Sequence, residues 1–197
     1  MQTGALTLKN WIDQLQSWWT NIVGQVSLRD SSLPLIQESY TSQGRSYQVK
    51  VGQKADAKSL VNLQETAYSS NEIWPKSLLE REMSTKSNSL YLLLLYQNYP
   101  VAFIGAWIKG DNCHVSNLVV RPGYQRQGLG QFLLHQVEQI ALNQKCRYYS
   151  LEVRKSNHKA QKLYQKMGFE TVGVKKEYYS NNREDGLAMV KQLILKD

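Results

Sequence analysis

A short glycine-containing loop between an apolar run and an amphipathic segment constrains the fold of this chain more than any other feature. The apolar run ends at Val119 and Val120, an Arg-Pro-Gly turn follows, and the spacing Q-x-x-G-x-G then extends from Gln125 to Gly130. A helix that begins here leaves several N–H groups without partners, and the positive end of its dipole lies behind them. The pattern therefore predicts a phosphate-binding loop between a strand and a helix.

The same spacing excludes two better-known phosphate loops. A dinucleotide fingerprint needs a third glycine where this chain has Leu133, and a P-loop needs a Gly-Lys-Ser/Thr sequence, which does not follow. Taken alone, the motif is also explained by a glycine-rich turn that binds no ligand.

Composition narrows the classes of partner. The formal net charge of +8 favours an anionic partner, either a phosphate-bearing cofactor or RNA, but the basic residues form no run typical of a nucleic-acid-binding arm. Two cysteines and three histidines lack the spacings of a disulfide framework or a metal site, so no metal is predicted. The longest apolar run, from Leu90 to Leu95, is too short to span a bilayer, and we expect a cytoplasmic protein without membrane contact.

Two parts are predicted along the chain. Residues 1–45 form an extension, with an amphipathic helix rich in tryptophan followed by a polar linker from Arg29 to Arg45, and residues 46–197 form one domain. In that domain the periodicities and turn residues predict the order β-α-α-β-β-β-α-β-α-β-β. Because this order mixes hairpins with crossovers, the fold class is α/β with a mixed sheet.

With this order and this loop, residues 46–197 resemble the GCN5-related N-acetyltransferases (GNAT). A second segment, from Leu151 to Phe169, and the polar tail from Lys176 to Met189 resemble the bacterial subgroup that acetylates the N-terminal alanine of ribosomal proteins. The chain departs from that subgroup in three respects. Its first 45 residues have no counterpart, Lys175-Lys176 replaces the usual arginines, and Trp74-Pro75 stands where Pro-Trp is usual.

The resemblance implies a central, mostly antiparallel mixed sheet with one splayed strand pair and flanking helices. It also implies that acetyl-CoA is the cosubstrate: the glycine loop holds the pyrophosphate, and the end of the preceding strand pairs with the pantetheine arm. One N–H of that strand would polarise the thioester carbonyl, as catalysis of acyl transfer requires. The cofactor-binding residues implied in this way are Leu118, Val119, Val120, Gln125, Arg126, Gln127, Gly128, Leu129, Gly130, Gln131 and Asn157.

Two catalytic residues follow from the same resemblance. Glu152 resembles the base that takes the proton of the acceptor amine, directly or through water; the alternative is a salt bridge to Arg154, which shares its face of a strand. Tyr164 resembles the acid that protonates the coenzyme A thiolate. It lies two helical turns after Asn157, so the two side chains share a face. A buried core tyrosine and a plain helix cap are the alternatives.

The acceptor implied by the subgroup is the N-terminal α-amine of a protein, first of all an alanine of a small-subunit ribosomal protein. A hairpin around Tyr178–Asp185 would form a peptide slot with the helix that follows Trp74, and the acidic pair Glu184 and Asp185 would receive a protonated N-terminus or a basic peptide. The alternatives are a solvated turn at this hairpin, a small amine such as a polyamine or drug as acceptor, and a non-catalytic acyl-CoA-binding module. No direct binding of nucleic acid is expected.

Overall fold

The computed structural model describes residues 36–68, 73–84 and 88–195. In these residues one eight-stranded mixed sheet carries helices on both faces. The predicted mixed sheet with flanking helices is confirmed, with one strand more than the seven in the predicted order. The strands are β1 (Ser39–Ser42), β2 (Arg45–Val51), β3 (Ser89–Tyr96), β4 (Tyr99–Lys109), β5 (Asn112–Val120), β6 (Tyr148–Arg154), β7 (Glu170–Tyr179) and β8 (Glu184–Gln192). The helices are α1 (Ala57–Glu65), α2 (Lys76–Glu82), α3 (Leu129–Asn143) and α4 (His158–Lys166), and short 3₁₀ turns occupy Lys54–Asp56 and Pro122–Tyr124.

The sheet order is β1-β2-β3-β4-β5-β6-β8-β7, and its strands pair antiparallel except for β5 with β6. The parallel pairing of β5 with β6 runs from Asn112 opposite Tyr148 to Val115 opposite Leu151 and goes no further. Beyond that point the two strands diverge, although β5 continues to Val120 and β6 to Arg154. The splayed pair is thus confirmed, and it opens a gap in the centre of the sheet.

One extra residue in β5 changes the direction of the side chains just before this gap. Gly105 of β4 pairs with Asn117, whereas Ala106 pairs with Val115, so Ser116 has no opposite residue and forms a β-bulge. Before the bulge Val115 belongs to the core beneath α3, and after it Val119 belongs to the core beneath α1 and α2. The bulge therefore turns β5 where the strands separate.

Each face of the sheet has its own hydrophobic core. The core on one face lies under α3 and α4 and includes Phe132, Leu133, Val137, Tyr149 and Leu151. The core on the other face lies under α1 and α2 and is smaller, with Leu60, Leu63, Leu79, Phe103 and Val119. On this face α1 and α2 cover β3, β4 and β5. They do not cover β6 and its neighbours, where a groove remains open.

The structure differs from the prediction at the start of the domain. Residues 39–42, predicted as part of a linker, form β1, which pairs with β2 through a turn at Gln43 and Gly44. The linker prediction is wrong here because a short edge strand of polar residues lacks the apolar alternation by which strands are recognised. The predicted tryptophan-bearing helix lies outside the described residues. No helix in the described part of the chain has both the length and the apolar content needed to cross a membrane.

Candidate active site

The predicted phosphate loop lies between β5 and α3. Phe132 N donates to Gly128 O at 2.8 Å, the first hydrogen bond of α3, so the N–H groups of Leu129, Gly130 and Gln131 precede the helical ladder and are available at its N-terminus. Gly128 is left-handed, with φ of 78°, and Arg126 is also left-handed, with φ of 63°. Alternation of left-handed and ordinary residues turns successive N–H groups toward one point, an arrangement that suits an anion.

A Cβ atom would obstruct the loop at Gly128. An added Cβ there would lie 2.7 Å from the hydroxyl oxygen of Tyr40, whereas one at Gly130 would make an ordinary contact of 3.4 Å with Leu163. The requirement for glycine at Gly128 therefore rests mainly on its left-handed backbone conformation, and a larger residue would also have to displace the Tyr40 hydroxyl. A loop of this form fits a pyrophosphate, which needs close approach to backbone N–H groups.

The hairpin of β1 and β2 braces this loop from outside. Ser42 Oγ donates to Gln127 O at 2.7 Å, and Tyr47 Oη donates to Gln127 Oε1 at 2.7 Å. Tyr40 stacks on Phe132 in the first turn of α3, with the ring centroids 4.3 Å apart. These contacts could not be predicted, because Tyr40 and Ser42 in an apparent linker and Tyr47 at the start of a strand carry no signal of the loop they support.

The predicted pantetheine strand, Leu118–Val120, lies along the gap between β5 and β6. Two of its carbonyl groups already accept hydrogen bonds from side chains: Leu118 O from the Tyr68 hydroxyl at 2.9 Å, and Val120 O from Gln125 Nε2 at 3.1 Å. Gln125 therefore fixes the turn into the loop, and Tyr68 reaches the strand from the end of α1.

Glu152 lies at the first position of β6 beyond its pairing with β5, and its side chain is 10% exposed. Its Oε1 contacts Lys175 Nζ of β7 at 2.6 Å, and its Oε2 contacts His114 Nε2 of β5 at 3.1 Å. The Tyr178 hydroxyl donates to Oε2 at 3.3 Å. The alternative predicted for Glu152 was a salt bridge to Arg154, but Arg154 instead contacts Glu184 at 3.0 Å.

These contacts set the charge of Glu152. Burial by itself would raise the pKa of the carboxyl, but the hydrogen bond and charge of His114 and those of Lys175 outweigh burial and lower the pKa from 4.5 to about 2. The carboxyl group of Glu152 is therefore ionised at neutral pH. The same negative charge adds to burial in raising the pKa of Tyr178, so this phenol remains a hydrogen-bond donor.

The lowered pKa of Glu152 predicts a pH-dependent stability. A carboxyl whose pKa is depressed by folding stabilises the folded state above its unfolded pKa, and this stabilisation is lost as the pH falls toward the folded value. We expect a loss on the order of 3 kcal/mol between about pH 5 and pH 2, and a shallower fall in Glu152→Gln. Urea unfolding at several pH values measures the difference; parallel curves for the two proteins would contradict it.

His114 is held from its other side as well. His114 Nδ1 lies 2.9 Å from Ser150 Oγ, and Ser150 Oγ donates to Asn112 Oδ1 at 3.0 Å. Asn112, His114 and Ser150 are all buried, and the ring of Trp107 lies 4.7 Å from that of His114, centroid to centroid. A continuous polar chain thus leads from Asn112 to the carboxylate of Glu152. In the sequence His114 is considered only as a metal ligand, and nothing there indicates this chain, because its members lie on two different strands.

A groove with a volume of about 80 Å³ runs along this chain. Glu152, His114 and Ser150 line it together with Trp107 and Lys109 of β4. Its remaining wall comes from Lys175 of β7 and from Ala188 to Val190 of β8. Most of the surface that faces the groove is apolar although polar residues are numerous in its lining, and the ionised Glu152 is its acidic group.

Tyr164 lies on the opposite face of β6 from Glu152. It packs against Phe169, which packs against Tyr149, and Tyr149 alternates with Glu152 along the strand. Burial raises the pKa of Tyr164 to about 12, so the phenol keeps its hydrogen at neutral pH. Glu152 and Tyr164 thus belong to opposite faces of the sheet.

Asn157 is the N-cap of α4, and its Oδ1 accepts a hydrogen bond from Ala160 N at 3.1 Å. This is the helix-cap alternative that the sequence left open, and it fixes the start of the helix that carries Tyr164. A role for Asn157 toward a cofactor stays a prediction.

The predicted acidic pair is engaged within its own hairpin. Glu184 contacts Arg154 and accepts from Ser156 N at 2.8 Å, and Asp185 contacts Lys176 Nζ at 2.9 Å. The Ser156 hydrogen bonds are the main reason that the pKa of Glu184 falls to about 2. Both carboxylates are ionised but already paired with cations, so neither offers an open site for a basic peptide.

Trp74 is fixed in front of the gap by Gln64, a fully buried residue of α1. Trp74 N donates to Gln64 Oε1 at 3.0 Å, and Gln64 Nε2 donates to Trp74 O at 3.4 Å. Asn117 Nδ2 of β5 also donates to Gln64 Oε1, at 3.3 Å. Gln64 therefore ties the segment before α2 to the bulged part of β5, where the strands separate.

The model of the acetyltransferase (GNAT) family matches residues 57–169, which contain the glycine loop, the gap, Glu152 and Tyr164. The chain belongs to the GNAT family. It is therefore an acyltransferase, and the acceptance of an acyl group from acetyl-CoA is the chemistry that this family uses. Membership of this enzyme family does not support the alternative that the chain is a non-catalytic acyl-CoA-binding module.

Relatives within the family carry one recurrent name. The ribosomal protein bS18-alanine N-acetyltransferase of Escherichia coli (strain K12) is 34% identical over 115 residues, which are 56% of this chain and 77% of the relative. A Bacillus subtilis (strain 168) protein named for the same activity is 34% identical over 116 residues, 59% of this chain and 77% of its own. The crystal structure of the Escherichia coli ribosomal-protein-S18-alanine N-acetyltransferase has the same fold, with a TM-score of 0.69 and 24% identity over 77% of this chain and 96% of that one.

Proposed function

We propose that this GNAT protein transfers the acetyl group of acetyl-CoA to the N-terminal α-amine of a protein, and that the alanine of a small-subunit ribosomal protein is the first candidate acceptor. The observation that carries the proposal is Glu152: a buried, ionised carboxylate beside the gap of the splayed strands, facing a groove open to an acceptor. The names of the relatives support the choice of acceptor. A ribosomal acceptor also implies a cytoplasmic location.

In this proposal the chain binds acetyl-CoA along the gap. The loop from Gln125 to Gln131 holds the pyrophosphate, chiefly through backbone N–H groups, and Arg126 adds a positive charge. The edge of Leu118–Val120 pairs with the pantetheine amides, and a backbone N–H of that edge donates to the carbonyl oxygen of the thioester. Asn157 and α4 flank the same gap.

The protons and bonds are accounted for by two side chains. Glu152 binds the protonated acceptor amine and receives its proton, so that the amine nitrogen forms a bond to the acetyl carbon while the carbon–sulfur bond breaks. Tyr164, protonated at neutral pH, gives its hydrogen to the departing sulfur from the other face of the sheet. The second proton that the nitrogen must lose as the amide forms passes through water to the Tyr164 phenolate and restores the phenol, and Glu152 releases the first proton to solvent. Because the two residues approach from opposite faces, donor and acceptor need not compete for space.

The low pKa of Glu152 sets a condition on this chemistry. An α-ammonium has a pKa of about 8, roughly six units above that of Glu152, so a direct transfer in the resting arrangement is strongly uphill. An acceptor ammonium that takes the place of Lys175 at Oε1 brings the same positive charge to the same oxygen. Once its proton has been transferred, Glu152 no longer faces a cation there, and it holds the proton more firmly.

An α-amine is the acceptor that this arrangement serves best. A lysine side chain has a pKa of about 10.4, and the difference of over two units from an α-amine costs roughly 3 kcal/mol more to deprotonate. A polyamine carries similarly basic amines. Deprotonation of a small basic amine would therefore cost more free energy than deprotonation of an α-amine, with the same weakly basic carboxylate as the acceptor of the proton.

Acetylation of short peptides tests the proposal. With acetyl-CoA as donor, a peptide with a free N-terminal alanine should be acetylated faster than the same peptide with a blocked N-terminus and an internal lysine, and faster than spermidine. Mass spectrometry locates the acetyl group. Faster acetylation of spermidine or of the internal lysine would leave only the acetyltransferase class standing.

A second series of peptides tests which residues are preferred after the N-terminal alanine. The sequence predicts a preference for basic residues there, but Glu184 and Asp185 are paired with Arg154 and Lys176. We therefore expect peptides with basic and with neutral residues at the following positions to differ little in KM. A large advantage for the basic peptide would show that the hairpin releases these carboxylates when a peptide binds.

A further inference from the structure

We propose that His114 is a positioning residue for acetyl transfer: it holds the Glu152 carboxylate at the gap, and the chain through Ser150 to Asn112 fixes the ring so that Nε2 faces the carboxylate. The inference rests on the proposed function in one respect, since it takes Glu152 to be the group that meets the acceptor.

Both ring nitrogens of His114 have a polar neighbour. Ser150 Oγ lies 2.9 Å from His114 Nδ1, and it donates to Asn112 Oδ1 at 3.0 Å. Glu152 is ionised and can only accept, so Nε2 must donate to Oε2. Both ring nitrogens are thus occupied, and the ring cannot rotate without losing two hydrogen bonds in a buried site.

His114 differs from the other neighbours of Glu152 in how firmly it is held. Lys175 and Tyr178 reach the carboxylate from β7 and are 28% and 40% exposed, whereas the His114 side chain is 9% exposed and stacks on Trp107. An acceptor can displace a lysine side chain that is partly exposed, but it cannot displace a ring fixed on three sides. When an acceptor displaces Lys175 from Oε1 of Glu152, the contact with His114 keeps the carboxylate in position.

The register of the sheet makes this possible. His114 pairs with Ser150 in the parallel β5–β6 ladder, and Glu152 is two residues further along on the same face. The chain Asn112–Ser150–His114 therefore occupies the last paired part of the two strands, and it ends at the first residue beyond. A polar network at this place is costly unless it is complete, and each of its members has a partner.

Replacement of His114 tests the inference. In His114→Phe the ring keeps its stacking on Trp107 and loses both hydrogen bonds; kcat for an alanine-initiated peptide should fall roughly 10- to 100-fold, the loss expected for a hydrogen bond to a charged group. The KM for acetyl-CoA should not change. In His114→Gln an amide N–H can again donate to Glu152, and part of the lost kcat should return. The exposed His135 of α3, replaced by phenylalanine, is the control and should leave kcat unchanged.

A double-mutant cycle separates positioning from general stability. Ser150→Ala should lower kcat in the wild-type background but have no further effect in His114→Phe, because Ser150 acts through the ring. Equal effects in both backgrounds, or a His114→Phe enzyme with the wild-type kcat, would overturn the inference. If Glu152→Gln retained full kcat, the proposed role of Glu152 would fail instead.

A titration adds a readout that needs no acceptor. The charged and titratable groups that face the carboxylate and the ring are Lys109 of β4 and Lys175, Tyr178 and Tyr179 of β7. All four remain in His114→Phe. The ¹³C shift of the Glu152 carboxyl should then titrate at least about one pH unit higher than in the wild type, since loss of a favourable partner raises a carboxyl pKa. An unchanged titration midpoint would show that His114 does not hold Glu152.

Discussion

Replacing Glu152 with glutamine is expected to lower kcat for acetyl transfer by roughly 100- to 10,000-fold, the range that general acid–base groups supply. Glutamine has the size of glutamate, but it cannot take a proton from the acceptor and it has no charge to attract an ammonium. The KM for acetyl-CoA should change by less than about threefold, because the substituted group acts on the acceptor side of the gap. Steady-state kinetics with an alanine-initiated peptide measure both constants.

A matched control guards against a merely structural effect. Glu138 of α3 contacts Lys191 Nζ at 2.7 Å with a side chain 12% exposed, nearly the same burial and ion-pair distance as Glu152 with Lys175. Glu138→Gln should therefore cost comparable stability and leave kcat unchanged. If both variants lost kcat in parallel with their thermal midpoints, Glu152 would be an ion-pair residue and not the group that meets the acceptor.

Local sequence patterns predict much of the fold because its elements are strongly periodic. The apolar stripe of α3 and the turn at Pro122–Gly123 bracket the loop, and the two loop glycines differ as the helix start demands: Gly128 is left-handed and Gly130 is helical. The hairpin of β7 and β8 is likewise predicted from the sequence, around Tyr178–Asp185. β1 could not be predicted, since its stability comes from pairing with β2 and from the contacts of Tyr40 and Ser42 with the loop.

The candidate site is less accessible to sequence reasoning because its contacts cross strands. His114 and Ser150 are 36 residues apart and meet only through the register of β5 with β6, and Lys175 reaches Glu152 from β7. The same limit explains the acidic pair: Glu184 and Asp185 suggest an open anionic surface until Arg154 and Lys176 are found beside them. The sequence shows that a residue carries a carboxylate. Only the structure shows whether that carboxylate is already paired with a cation or is free to bind a substrate.

Gly128→Val is expected to weaken acetyl-CoA binding by at least about 100-fold. The loss corresponds to roughly two charge-assisted hydrogen bonds, each of which contributes about 1.5–3 kcal/mol. Valine at φ of 78° is strongly disfavoured, so the loop is driven away from the geometry that directs its N–H groups to a phosphate. Its Cβ would also lie 2.7 Å from the Tyr40 hydroxyl, so either that side chain or the loop has to shift. Isothermal titration calorimetry with acetyl-CoA and with coenzyme A measures the affinity.

Gly44 supplies the control for backbone strain. It lies in the β1–β2 turn with φ of 73°, and an added Cβ there would meet nothing within 4 Å. Gly44→Val therefore carries nearly the same conformational cost as Gly128→Val without obstructing the loop. Both variants should lower the thermal midpoint, but Gly128→Val should weaken acetyl-CoA binding far more than Gly44→Val, which reaches the loop only through the hairpin that braces it. Equal affinity in the two variants would mean that the glycine loop does not hold the pyrophosphate, and the binding site would have to be sought elsewhere along the gap between β5 and β6.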